Sequence, residues 1–170
     1  MLYVTVVTEK RKPILANAMA HDCIVEAWRA ANGWDVGRYV IMPDHVHFFC
    51  APATYPVPDF HKWMKYWKTI AAKMFWALKA DAGSPFCSTG NHAKTGEQKL
   101  ISLQRDASIK HVNPPLFQRD CWDRQLRTGD SYAQKWEYVR NNPVRKGLAG
   151  HAEDWPFQGE MNVLEWHEKV

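Results

Sequence analysis

The chain has 170 residues, 46% hydrophobic and 24% charged, a balance that suits one soluble domain with a substantial core. No run approaches the roughly 18 apolar residues of a membrane span, and "MLYVTVVTEKRKP" at the start lacks an apolar leader region, so a cytoplasmic location is expected. A net charge of +4 and nine tryptophans tilt the chain toward a polyanionic partner whose unpaired bases can stack on aromatic rings.

"LYVTVVT" (2–8) alternates β-branched and aromatic residues and predicts a strand. Residues 14–33, "ILANAMAHDCIVEAWRAANG", have helical spacing, with Gly33 as the stop. "WDVGRYVIMP" and "HVHFFCAP" then read as an antiparallel pair turning at Pro43-Asp44. Residues 57–80 form the clearest helix, with Asp59 as N-cap and an apolar stripe of Phe60, Trp63, Trp67, Ile70, Met74 and Leu78. From Asp81 to Leu116 the pattern dissolves into a long insertion with one apolar island, "KLISL" (99–103). "CWDRQLR" (121–127) predicts a fourth strand. Residues 129–143 predict a short helix capped by Asp130 or Ser131 and closed by Pro143. Residues 1–150 are thus read as a single domain and 151–170 as a C-terminal tail. Cys23, Cys50, Cys87 and Cys121 lie far apart without a C-x-x-C pair, which excludes a zinc ribbon and suggests free thiols.

The order strand–helix–strand–strand–helix–strand, followed by another helix, describes an α+β ferredoxin-like antiparallel sheet. Two helices would cover one face. The last helix would meet the other.

That second face carries the chemistry. In "MPDHVHFFCAP" (42–52), His45 and His47 project from the same side of their strand. Their side chains start roughly 6–7 Å apart, within reach of one metal ion. On the last helix, Tyr132, Trp136 and Val139 form a stripe for burial. Tyr138 lies about 200° around from Trp136, off that stripe, on the side of Gln134, Asn141 and Asn142.

Five segments, in order, resemble the single-tyrosine HUH transposases, in particular their REP-associated branch. "YVIMPDHVHFFCAP" is similar to the histidine-bearing strand of that family and "WKTIAAK" (67–73) to the basic part of its second helix. "LFQRDCWDRQLR" (116–127) resembles the strand before the tyrosine helix, "YVRNNPVRKGL" (138–148) the tyrosine helix and its exit, and "DWPF" (154–157) a tail motif. The resemblance implies that Tyr138 is the nucleophile and that His45 and His47 bind metal. A polar residue one turn beyond the tyrosine would complete the metal site, matching Asn142. The bias of a pre-proline residue away from helical geometry leaves Asn141 as the alternative. Basic residues within the matched segments, Lys68, Lys73, Arg119, Arg124, Arg140 and Arg145, are the implied DNA contacts. The implied partner is single-stranded DNA bearing hairpins, such as REP palindromes. The protein would act as a monomer or homodimer in the bacterial cytoplasm, on the nucleoid when bound.

Two neutral imidazoles and an amide hold Mg²⁺ or Mn²⁺ loosely, and phosphate oxygens can complete the shell. Zinc would favour thiolate or carboxylate ligands in a closed or three-ligand site. Two other readings compete. A non-catalytic single-stranded nucleic-acid binding module of the same fold would use the histidines only for stacking. A hydrolase of small phosphoesters would lack its usual carboxylates and leave Tyr138 without a role.

Overall fold

Strand alternation divides the buried residues between two faces of one sheet. The computed structural model describes residues 1–82 and 113–164; "KLISL" and most of the insertion lie outside them. β1 (Leu2–Val7), β2 (Trp34–Ile41) and β3 (His45–Pro52) form the centre, with β3 antiparallel to both neighbours. β4 (Trp122–Gln125) pairs with β1 at one edge, and β5 (Gln158–Glu160) with β2 at the other. The resulting order, β4-β1-β3-β2-β5, is the expected ferredoxin-like sheet with one added strand.

On one face Val4, Val6, Val46 and Phe48 are fully buried beneath α1 (Ala18–Ala30) and α2 (Phe60–Ala82). The first helix starts later than its apolar pattern predicts, because Asn17 caps it by accepting a hydrogen bond from the Ala20 amide at 2.9 Å. It ends at Ala30, before Gly33, which adopts a φ of +103° where the chain turns beside Pro58. Asp59 caps α2 as expected, its carboxylate accepting from the Lys62 amide. The buried stripe of α2 runs Trp63, Trp67, Ala71 and Phe75; Ile70, Met74 and Leu78 are only partly buried. Steps of four, rather than mixed threes and fours, keep this stripe against α1.

The other face is covered by α3 (Gly129–Arg140). Its N-cap is Thr128, whose hydroxyl accepts from the Ser131 amide at 3.2 Å, so neither Asp130 nor Ser131 caps it. The expected stripe packs as predicted: the Tyr132 ring meets Phe49 edge-on at 4.8 Å, and Val139 is fully buried with Val40, Met42 and Trp155. The helix stops at Arg140, and a separate turn, α4 (Asn142–Arg145), begins just ahead of buried Pro143. Proline has no amide hydrogen to continue α3 but suits the first turn of a new helix.

Residues 151–160 are built into this body. Trp155 is buried, and its indole N–H donates to the Ile41 carbonyl at 3.0 Å. β5 lies flat on Tyr39 at Gly159, where a Cβ would stand 2.8 Å from the Tyr39 hydroxyl. Among the described residues, Cys50 and Cys121 are free thiols. No helix among the described residues is long and apolar enough to cross a membrane.

Candidate active site

His45 and His47 lie on the α3 face of β3, as period-two alternation requires. Their Nε2 atoms converge to 3.1 Å, with the rings nearly perpendicular. Two adjacent positions of an octahedral shell with bonds of roughly 2.1–2.2 Å lie roughly 3.0–3.1 Å apart. The pair therefore fits a divalent ion, and without one the same separation suits an N–H···N hydrogen bond.

Each imidazole is held by its other nitrogen. His45 Nδ1 lies 2.6 Å from the Asp44 carboxylate, which as an acceptor fixes the proton on Nδ1 and leaves the Nε2 lone pair free. Burial opposes ionisation of Asp44, but hydrogen bonds and charge from His45 and Arg11 outweigh it and hold its carboxyl below the usual range. His47 Nδ1 meets two hydroxyls, Tyr3 at 2.8 Å and Thr5 at 2.9 Å. A hydroxyl donates or accepts, so this contact supports either neutral tautomer, including the one that presents a bare Nε2. His47 is only 8% exposed. Burial first, then His45 and Lys135, push its pKa down to about 3 against a smaller pull from Asp44.

Tyr138 stands on the exposed side of α3, half exposed, as its position off the stripe predicts. The Arg145 guanidinium lies 4.4 Å from its ring centre. The Lys135 ammonium, one turn earlier, lies 5.5 Å from the Tyr138 ring and 5.1 Å from the Tyr3 ring. Tyr3 and Lys135 thus link the tyrosine to the histidine pair. Burial raises the Tyr3 phenol pKa; the Thr5 hydrogen bond opposes this, and Tyr138 adds to it.

Of the two asparagines, Asn141 is committed: its amide donates to the Glu137 carbonyl at 2.8 Å. Asn142 opens α4, half-buried, and its side chain has no hydrogen bond among the described residues. Also among those residues, no group of three or more His, Cys, Asp or Glu side chains is arranged around a metal position.

A solved structure of a REP-associated tyrosine transposase bound to a REP hairpin matches this arrangement of strands and helices. The TM-score is 0.58 at 18% identity, over 92% of this chain and 74% of that one. The fold is similar to that of a tyrosine transposase. A candidate transposase from Deinococcus radiodurans also matches, with a TM-score of 0.48 and 19% identity over 83% of this chain and 89% of that one. No family model and no curated protein matches the sequence.

The six basic residues separate in space. Arg124 and Tyr138 line one groove, of about 800 Å³, and Arg145 lies over the tyrosine ring. Lys68, Lys73 and Arg119 line another groove, against α2 on the opposite side of the sheet. Lys68 donates to the Gln118 and Arg119 carbonyls at 2.9 and 2.7 Å, and burial lowers its pKa. Arg140 is ion-paired with Glu137 and Glu153.

Sequence reasoning missed Tyr3, Thr5 and Lys135. Alternation places Tyr3 and Thr5 on one face, yet nothing local says which strand lies beside them. Lys135, one turn before Tyr138, was the more accessible signal.

Proposed function

We propose that this protein is a metal-dependent single-strand DNA endonuclease and strand transferase that cuts hairpin-bearing DNA through a phosphotyrosine intermediate. The observation that carries the reading is the 3.1 Å pair of histidine Nε2 atoms sharing a sheet face with Tyr138 in a transposase-like fold. The hairpin enters by analogy with the similar protein, which was solved with a REP hairpin bound.

His45, His47 and Asn142 are the residues that would hold Mg²⁺ or Mn²⁺. When bound, such an ion acts as a Lewis acid on the scissile phosphate and offsets charge developing there. Asp44 keeps His45 oriented with Nε2 outward. Burial keeps His47 neutral, so that it serves as a ligand and not as a competing cation. Lys135 and Arg145 place positive charge beside the tyrosine, where the phosphate would dock.

The Tyr138 oxygen attacks phosphorus, forming a P–O bond to the tyrosine while the bond from phosphorus to the 3′-oxygen breaks. The phenol gives its proton to solvent, and the departing 3′-oxygen takes one up as a hydroxyl. The 5′ end of the downstream strand stays on Tyr138. One phosphoester has replaced another, so a 3′-hydroxyl can reverse the step and join strands. Arg124 would guide the strand beside Tyr138. Lys73 and Arg119 would contact a more distant part of the DNA across the sheet. All of these groups lie within residues 1–150, read as the catalytic unit.

The test uses hairpin oligonucleotides with single-stranded flanks, labelled on the 3′ side of the cut. A protein–DNA adduct that survives a denaturing gel in Mn²⁺, is absent in chelator and maps to Tyr138 is the expected result. Tight binding without an adduct on any hairpin would leave a binding module.

A further inference from the structure

The residue on this face most at odds with its surroundings is Trp122. It is 82% exposed, although an indole is among the most apolar groups a chain carries. Trp122 opens the edge strand β4, and among the described residues its indole has no ring, cation or hydrogen-bond partner.

Register places it on the candidate active face. Trp122 pairs with Thr5, and Thr5 pairs with His47. Directly paired residues in an antiparallel ladder point to the same side. Trp122, Thr5 and His47 therefore form one row across β4, β1 and β3, and Trp122 lies two strand spacings, about 10 Å, from the histidine backbone. Arg124, two residues on, pairs with Tyr3 and shares that face. Arg124 also lines the groove of about 800 Å³, together with Arg127, Lys135 and Tyr138 and one carboxylate, Asp123.

We infer that Trp122 is a stacking platform for an unpaired base of the DNA strand that occupies this groove. The inference rests on the proposed reading of the chain as a single-strand DNA enzyme. The cations track the sugar–phosphate backbone past Tyr138, while the indole takes the face of a base a short way along the strand. Stacking tolerates any base, so the contact orders the strand without reading its sequence. It requires that the base be unpaired, and it therefore selects a single-stranded flank over duplex at this position. The alternative occupant is the β4 edge of a second copy. That arrangement would bring Arg124 and Arg127 toward their own counterparts, whereas a polyanion complements them.

The test measures fluorescence anisotropy with a fluorescein-labelled hairpin oligonucleotide bearing single-stranded flanks, in Mg²⁺. Trp122→Ala should weaken binding about tenfold and Trp122→Phe by less than about threefold. A series with a single abasic site moved along the flanks should show one position where wild type loses a similar factor and Trp122→Ala loses nothing more. Circular dichroism of both variants should match wild type, because the side chain is exposed. Wild-type affinity in Trp122→Ala, or losses that multiply at every abasic position, would overturn the platform. A dimer in DNA-free wild type that dissociates in Trp122→Ala would assign the indole to a protein interface instead. If folded wild type binds neither this oligonucleotide nor its unstructured flank, the single-strand DNA reading itself falls, and the platform with it.

Discussion

Thr5 stands directly opposite His47 in the β1–β3 ladder, and its hydroxyl lies 2.9 Å from His47 Nδ1. With the Tyr3 hydroxyl at 2.8 Å it gives a buried histidine two partners on the nitrogen that faces away from His45. Metal-ligating histidines depend on such outer contacts for ring orientation and tautomer. The Tyr3→Phe, Thr5→Val double variant should lose about 10- to 100-fold in Mn²⁺ affinity, measured by calorimetry with a hairpin oligonucleotide present. Each single variant should lose less, because the remaining hydroxyl still serves Nδ1. Unchanged affinity in the double variant would mean that His47 needs no such support.

Tyr138→Phe should abolish the covalent adduct while DNA binding and folding change little. The ring, its Arg145 and Lys135 contacts and its half-exposed setting are retained, and only the attacking oxygen is removed. Tyr132→Phe is the control, because that ring packs on Phe49 away from the groove. A denaturing gel in Mn²⁺ reads both. An adduct in Tyr138→Phe and none in Tyr132→Phe would reassign the nucleophile.

The buried imidazole of His47 has a pH signature. Its folded pKa, about 3, lies below the ordinary 6.5, so between these values the unfolded chain holds the extra proton. Stability contributed by neutral His47 is present above pH 6.5 and is lost as pH falls, with a slope approaching about 1.4 kcal/mol per pH unit. In chelator, urea unfolding of wild type from pH 6.5 to 5 should fall more steeply than that of His47→Gln. The difference between the two curves cancels the other histidines. Parallel curves would show that the imidazole is solvated in the folded protein.

Lys68 and Arg124 should separate structural from DNA-binding cations. Lys68→Met removes the donor from two carbonyls that water can partly reach and should cost about 0.5–1.5 kcal/mol of folding stability, with little change in the salt dependence of binding. Arg124→Ala should leave stability within about 0.5 kcal/mol. It should also reduce the slope of log K against log salt by about 0.7, the share of one phosphate on a single strand. With four to six contacts in all, the wild-type slope should be about −3 to −4. Exchanged behaviour of the two variants would reverse their roles.

Free protein should bind Mn²⁺ weakly, and hairpin DNA should tighten the binding, because the proposed ligands are uncharged and phosphate oxygens would complete the shell. Calorimetric titrations with and without the oligonucleotide compare the two states. Equal affinities would remove the phosphate from the coordination.

Much of this could be read along the chain, because strand and helix periods are local. Alternation alone places His45 and His47 on one side of a strand, and a 100° step per residue alone puts Tyr138 off the stripe that buries Val139. Asp59 before an apolar stripe announces the start of α2 for the same reason: a cap acts on its own turn. What the sequence could not decide was which distant residues would stand beside these. Thr5 meets His47 across 42 positions, and Lys68 reaches the Gln118 carbonyl across 50. The indole of Trp155 finds Ile41 across 114, turning an apparent tail into the edge of the sheet. Such pairings follow from which strand edges and buried polar atoms remain to be satisfied once the core has closed, a condition on the whole fold that no local period encodes. Composition and spacing set the kinds of groups and the faces they occupy; tertiary structure alone supplied His47 with its hydroxyls and Trp122 with its open side.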